Sequence, residues 1–452
     1  MPKALDFYAD IIAAPATPPG RGAVAVVRVS GPNLKSLALR LTRKSDFKPR
    51  YAHYAPFLDE NGSAIDRGLI LYFPAPHSYT GEDMLELHCH GSPVVVEMLL
   101  RRLFALGARP AEPGEFSRRA FLNGKLDLAQ AEAVAALIES ASEEAARAAQ
   151  RSLEGMFSER VHKLSQALLE LRAYVEASID FSDQEIDLLA EGEVEARLQS
   201  LLEDLETLRR RAQQGRLLRE GMTAVIAGPP NVGKSSLLNR LAGREAAIVT
   251  DIAGTTRDLL TEHLNFDGMP CTVIDTAGLR SGGDSIEREG MRRAIQAMQS
   301  ADRILLVLDC RQTQAEEFMM AQLPCGVPVT KVYNKIDLGG LSPGLEEAAT
   351  SVVYLSAKTG AGIDLLKSHL MHVMGFEAER EDALAARRRH LEALIRTQDF
   401  LQRAWDELRH TQAAELVAEN LRLAQQRLAE ITGEVTNEDL LGEIFAEFCI
   451  GK

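Results

Sequence analysis

The sequence predicts a multidomain protein in which α/β and all-α regions alternate. Three observations carry that prediction. Short apolar runs separated by helical patterns fill residues 1 to about 123 and 222 to about 376, the alternation of small sheets covered by helices. Elsewhere Ala, Glu, Leu, Arg and Gln dominate, with apolar residues at three- and four-residue spacing, which is the helical period. A length of 452 residues holds roughly two to four domains. The expected division is 1–123, 124–220, 221–378 and 379–452, with the two helical blocks packing together and the second α/β module inserted between them.

Hydrophobic content of 46% with 26% charged residues is globular. The net charge of −14 argues against general nucleic-acid binding, because phosphate contacts need Lys and Arg. RNA contact would need a local patch or a partner. Arg209–Arg211 and Arg387–Arg389 are the first candidates, although basic runs in helices are more often solvated faces. Five Cys without C-x-x-C spacing indicate neither a disulfide framework nor a zinc site. Met1–Asp10 has no apolar signal core, and no run approaches the ~18 apolar residues of a membrane span. A cytoplasmic protein with no membrane segment is expected.

In the first region Gly22–Ser30 reads as a strand after Pro18-Pro19-Gly20, Arg67–Phe73 as another after Glu60-Asn61-Gly62, and Leu85–His88 as a third. Ser92-Pro93 opens a helix that stops near Gly107. Leu153, Phe157, Val161, Leu164, Leu168, Leu171, Val175 and Ile179 predict one long amphipathic helix, and Glu193 to about Arg211 another. From Ala383 onward the chain is helical again, with Leu391, Leu394, Ile395, Leu401 and Trp405 on one face.

The inserted module carries the chemistry. Thr223–Ala227 is a short apolar strand, Gly228-Pro229-Pro230-Asn231-Val232-Gly233-Lys234-Ser235 fits G-x-x-x-x-G-K-[ST], and Ser236–Ala242 is a helix closed by Gly243. Backbone N–H groups there face an anion at the positive end of a helix. Lys234 supplies charge to the β- and γ-phosphates and Ser235 a hydroxyl for Mg²⁺. The polar loop Asp251-Ile252-Ala253-Gly254-Thr255-Thr256-Arg257-Asp258 follows, and a Thr hydroxyl in it can complete the Mg²⁺ shell. Cys271–Ile274 is a strand ending in Asp275-Thr276-Ala277-Gly278, where Asp275 suits Mg²⁺ held through water and Gly278 allows close approach to the γ-phosphate.

Ile304–Leu308 and Val327–Tyr333 are buried parallel strands by their apolar content. Asn334-Lys335-Ile336-Asp337 ends the second, and a carboxylate there accepts from guanine N1–H and N2–H₂, a donor pair that adenine lacks. Ser356-Ala357-Lys358 can offer a backbone N–H to guanine O6. Each stretch alone could be an ordinary turn; five in order, each after a strand, imply a Ras-like P-loop module that binds and hydrolyses GTP. Leu279 stands where Ras-type enzymes have a water-orienting Gln, so another group must replace it. Asp284, Glu287 and Glu289 are carboxylate candidates, and Arg257 and Arg280 are cationic ones.

The whole chain resembles the MnmE (TrmE) family of tRNA-modification GTPases. The resemblance rests on Ala16-Thr17-Pro18-Pro19-Gly20-Arg21-Gly22, Pro113-Gly114-Glu115-Phe116-Ser117, the nucleotide motifs, and the terminal Phe448-Cys449-Ile450-Gly451-Lys452. It implies an N-terminal domain that dimerises and binds 5-formyltetrahydrofolate, a helical domain from both flanks, and an inserted G domain. It implies work with the flavoprotein MnmG, in a heterotetramer or larger complex, on carbon 5 of the wobble uridine of certain tRNAs. It also answers the Leu279 question, because family G domains pair across their nucleotide faces with K⁺ in the place of an arginine finger.

By matching motif positions, Asn231, Thr250, Ile252 and Thr255 would hold K⁺, Ser235 and Thr256 would hold Mg²⁺, and Glu287 would orient the attacking water through a second water. Val232, Gly233, Lys234, Ser236, Asp251, Ala253, Gly254, Asp275, Thr276, Ala277, Gly278, Asn334, Lys335, Asp337, Ser356, Ala357 and Lys358 complete the nucleotide site. Arg28, Glu86, Lys125 and Lys452 match the folate positions. Cys449 is a candidate reactive thiol on a tail expected to be mobile, with an inert Cys as the plainer alternative. His88 and His90 share a strand face but lack an evident third metal ligand. A GTP-switched ribosome-assembly factor without modification activity, and a folate enzyme in which GTP is structural, are the alternatives.

Overall fold

The computed structural model describes residues 10–44, 46–140, 142–180, 192–242, 260–266, 269–275, 285–312, 315–348, 350–373, 383–410, 413–435, 438–446, 448 and 450–451. The chain forms two compact units: Met1–Ala135 with Ser152–Leu205 and Glu392–Lys452, and Ala136–Arg151 with Glu206–Leu391.

In the first unit β1 (Ile11–Pro15), β2 (Gly22–Ser30), β3 (His53–Leu58), β4 (Ala64–Phe73), β5 (Met84–Gly91) and β6 (Ala108–Pro110) form one sheet in the order β3-β4-β5-β2-β1-β6. Helices α1 (Leu34–Thr42) and α2 (Pro93–Ala105) cover one face. Strand alternation decides which side chains go there. Ala25, Val27, Val29, Leu85, Leu87 and Cys89 join that core, so Arg28 and Glu86, paired in the antiparallel register of β2 and β5, stand together on the other face. The turn into β4 closes on Asp59, whose carboxylate accepts the N–H groups of Asn61 and Ser63. Ser92 precedes α2, but its side chain makes no cap hydrogen bond.

Helices α3 (Glu115–Leu122) and α4 (Leu128–Glu139) follow. Asp127 and Gln130 exchange side-chain and backbone bonds of 2.8 and 3.0 Å at the start of α4, a reciprocal cap. Next come α5 (Glu143–Leu153), α6 (Met156–Asp180) and α7 (Glu193–Glu220). The single helix expected from Leu153 is in fact broken. Gly155, at φ +92°, ends the turn after α5, a backbone state that glycine adopts without steric penalty. The apolar spacing runs straight through this break and so conceals it. Helix α7 also runs past Arg211 to Glu220, with Gly215 placed where a side chain would overlap the carbonyl of Leu384.

The second sheet contains β7 (Met222–Ala227), β8 (Leu260–Phe266), β9 (Met269–Asp275), β10 (Arg303–Asp309), β11 (Val329–Asn334), β12 (Gly344–Glu346) and β13 (Ser351–Tyr354), ordered β12-β13-β11-β10-β7-β9-β8. The five central strands are parallel; β8 and β12 are antiparallel edges. Helices α8 (Lys234–Ala242), α9 (Ser285–Ser300), α10 (Ala315–Met320), α11 (Ile336–Gly339) and α12 (Ile363–Val373) accompany it. β7 and β10 are buried along nearly their whole length, with the apolar runs Ala224–Ala227 and Ile304–Leu308 at their centres, as strands covered on both faces must be.

The last block is α13 (Arg388–His410), α14 (Ala414–Thr432) and α15 (Glu438–Ala446). Helices α6 and α14, one from each helical block, pack together, with Arg172 donating to Gln425 at 2.8 Å. Leu394 and Leu401 are buried on α13, but Ile395 is exposed; it sits one residue past Leu394 and so turns off the apolar stripe. Among the described residues no helix is long and apolar enough to cross a membrane, and the four described cysteines are unpaired.

Candidate nucleotide-binding site

The site lies at the carboxyl ends of β7, β10, β11 and β13, the end of an open parallel sheet where ligands bind. β7 delivers the chain into Gly228, whose φ of +144° places its Cα against the carbonyl of Val307. Asn231 is left-handed at φ +63° and exposed. Lys234, largely buried, donates from Nζ to the carbonyls of Gly228 and Pro229, both at 2.8 Å. The loop therefore wraps its own lysine, with Ser235 and Ser236 exposed at the start of α8.

The base-reading segment is tied to this loop. Asn334, buried at the end of β11, donates from Nδ2 to the Val232 carbonyl at 2.9 Å, and its Oδ1 accepts the N–H of Ala357 at 2.9 Å. Gly233 has no alternative residue, since a Cβ there would overlap the Asn334 amide. Lys335 donates to the Asn231 carbonyl at 2.7 Å and to Asp309 at 3.0 Å. Asp337 is exposed, and one carboxylate oxygen accepts the Ser356 hydroxyl at 2.6 Å. That bond orients the carboxylate while leaving lone pairs for a base.

The loop after β13 is equally fixed. Ser356 donates its N–H to Ala361 and Ala357 to Asn334, which leaves the N–H of Lys358 as the one of the three without a partner among the described residues. Asp309, which the motifs did not single out, closes the site from β10. The Arg311 guanidinium bonded to it holds its carboxyl well below the usual carboxylate range, and Lys335 reinforces this. Its position at the end of a central parallel strand was the available signal.

Thr250, Asp251, Ile252, Ala253, Gly254, Thr255, Thr256, Thr276, Ala277 and Gly278 are outside the described residues. Asp275 ends β9 beside Ile226, and Glu287 falls in the first turn of α9; their side chains are not among those described.

In the first unit Arg28 and Glu86 meet at 3.0 Å, both about three-quarters buried. The Arg28 guanidinium also lies over the rings of Tyr79 and Phe116, at 5.4 and 5.9 Å. Tyr79 and Ser117 share a hydroxyl contact of 2.8 Å, and burial pushes the Tyr79 phenol up. Lys125 is exposed beside Gly81, and no described contact joins it to Arg28 or Glu86.

The expectation of a mobile C-terminal tail is corrected by its packing. Phe448 is buried, Ile450 bridges Pro113, and Gly451, at φ +97°, fits against the Pro15 carbonyl where a side chain could not. Pro15 pairs with Val27 and its neighbour Ala14 with Arg28, so the chain end is brought beside the Arg28 strand. Cys449 and Lys452 themselves are outside the described residues. His90 bonds Asp66 at 2.8 Å, and among the described residues no cluster of three metal-binding side chains occurs.

Comparison with known proteins agrees in extent with the sequence motifs. A family model described as the GTP-binding protein TrmE N-terminus matches residues 11–125, and one described as the MnmE helical domain matches residues 128–449. Similar solved structures include a variant of Era from Aquifex aeolicus bound to GDP·AlF4⁻, at 27% identity over 40% of this chain and 66% of that chain, with a TM-score of 0.27. The G domain of the T. maritima FeoB iron transporter is 24% identical over 33% of this chain and 97% of that chain, with a TM-score of 0.27. This chain therefore spans just under two thirds of the length of the Era chain it matches. With family matches over residues 11–125 and 128–449, the chain belongs to the MnmE/TrmE family of tRNA-modification GTPases.

Proposed function

We propose that the chain is a K⁺-stimulated GTPase that, with the flavoprotein MnmG, modifies carbon 5 of the wobble uridine of certain tRNAs, using a 5-formyltetrahydrofolate-type one-carbon donor. The observation that carries the nucleotide half is the double tie of Asn334 to Val232 and Ala357, which holds a phosphate loop and an outward carboxylate at Asp337 in one frame. In this reading Asp337 accepts from guanine N1–H and N2–H₂ and the Lys358 N–H donates to O6. Adenine would leave those groups unpaired, which is why such sites discriminate strongly. The loop N–H groups and Lys234 bind the phosphates.

Mg²⁺ would be held by Ser235 and Thr256. K⁺ would be held by Asn231, Thr250, Ile252 and Thr255, and supplies, when bound, positive charge beside the phosphates, as an arginine finger does elsewhere. The exposed left-handed turn at Asn231 and the exposed hydroxyl of Ser235 fit these roles. Glu287 orients the attacking water through a second water, and Leu279 takes no part. The chain acts as a homodimer whose G domains meet across their nucleotide faces, in a cytoplasmic complex with MnmG. The four sequence segments 1–123, 124–220, 221–378 and 379–452 are assigned as folate and dimerisation domain, helical domain, G domain and helical domain.

For the folate, the Arg28–Glu86 pair walled by Tyr79 and Phe116 offers a carboxylate, a cation and aromatic faces. This donor set suits a polar pterin with an acidic tail. Lys125 and Lys452 would meet the tail. The reading is tested by profiling modified wobble uridines in tRNA from a deletion strain rescued with wild-type protein or with Glu287→Ala. Wild type should restore the modification and Glu287→Ala should not. A full modification profile in the unrescued strain would overturn the tRNA half.

A further inference from the structure

We propose that Arg240, on the helix that follows the phosphate loop, is a positioning residue that aims the guanine-O6 donor and so helps set base specificity. The proposal rests on the guanine reading given above. Arg240 is half-buried on α8 and reaches across to the loop after β13. Its Nε donates to the Ala357 carbonyl at 3.2 Å and its Nη2 to the Lys358 carbonyl at 2.8 Å. Gly360, left-handed at φ +90°, lies against the guanidinium, 3.4 Å from where a Cβ would stand.

The consequence follows from the planar trans peptide. The carbonyl of one residue and the N–H of the next point in opposite directions in one rigid plate. Fixing the Ala357 carbonyl toward α8 therefore turns the Lys358 N–H away from it, toward the base side of the loop. The two flanking plates are fixed too, since the Ala357 N–H is held by Asn334 and the Thr359 N–H by the Ser356 hydroxyl at 3.2 Å. Arg240 thus completes a clamp that leaves a single N–H pointing outward. Two donors from a charged group on consecutive carbonyls fix direction better than one neutral bond. Because α8 begins at Lys234, the same helix that receives the phosphates also steers the group that reads the base.

The test uses the full chain with Mg²⁺ and competition of fluorescent GDP by GDP, by 6-thioguanosine diphosphate, whose sulfur is a weak acceptor at position 6, and by inosine diphosphate, which keeps O6 but lacks the 2-amino group. Arg240→Ala should weaken GDP and inosine diphosphate equally, by about tenfold, the scale of one hydrogen bond. It should weaken 6-thioguanosine diphosphate much less, so that the preference for GDP over the thio analogue narrows while the preference over inosine diphosphate stays. Arg240→Lys, able to reach one carbonyl, should fall between. Equal loss for all three ligands, or an unchanged thio preference in both variants, would overturn the inference. Wild-type protein with no preference for GDP over inosine or adenosine diphosphate would instead overturn the guanine reading, and this inference with it.

Discussion

Asn334 uses both ends of its amide inside the protein, one on Val232 and one on Ala357, so the base is left to Asp337. Asp337→Asn keeps the size and the Ser356 contact but replaces one acceptor oxygen with a donor amide. The expected outcome is loss of guanine preference in nucleotide competition, with xanthine nucleotides gaining; unchanged GTP selectivity would refute the assignment. Arg119 is a different case. It is fully buried and bonds Asp10, Glu82 and Glu115 at 2.9–3.1 Å. Glu115, also buried, is held below its usual range by Arg109 and Arg119 against the opposing effect of burial. Removing one partner of such a network leaves charges uncompensated, at about 3–5 kcal/mol. Arg119→Met should lower the urea midpoint of the first unit accordingly, with guanine-nucleotide affinity unchanged. A midpoint within error of wild type would show the network to be idle.

At the scale of elements, two contacts between distant segments invite tests. On α12, His369 is buried against β11, with Nε2 3.1 Å from the Thr330 hydroxyl, which in turn accepts from Arg303 at 2.6 Å. Burial first, then Arg303, hold its pKa below the ordinary value; Glu347 opposes them, and His372 adds the smallest contribution in the same direction as burial. A group that binds its proton less readily when folded contributes stability above its unfolded pKa, about 6.5, and loses it as pH falls toward the folded value. Thermal melts of the wild type should therefore drop more steeply below about pH 6.5 than those of His369→Gln. Parallel pH profiles would contradict this. The second contact is the tail: Phe448 packs with Phe445, Leu441 and Leu128. Phe448→Ala should cost about 3–5 kcal/mol if the site does not collapse, measured by denaturant unfolding; a loss under about 1 kcal/mol would mean that the tail is not anchored.

Over the whole molecule, what the sequence revealed tracks the range of the interactions. The phosphate and base motifs were legible because the chemistry needs those residues within a few positions of each other, each at a strand end. The Arg28–Glu86 pair was reachable only through resemblance, since 58 residues separate its members. Arg240 and Ala357 are 117 apart, and nothing local in Asn239-Arg240-Leu241 points to a partner. The Gly155 break is hidden in the sequence because the apolar period continues across it, and Ile395 reads as core because nothing local shows that the buried stripe runs through Ala393, Leu394, Thr397 and Leu401, one position short of it. From sequence alone the tail reads as mobile because its anchors, Pro113 and Pro15, are more than 300 residues away along the chain. Whether a monovalent cation replaces an arginine finger is decided by steady-state GTP turnover in KCl against NaCl at equal ionic strength. Turnover should be at least about tenfold faster in KCl, a modest fraction of an arginine finger's effect, and should rise with protein concentration as G domains pair. Equal rates in the two salts, independent of protein concentration, would contradict it.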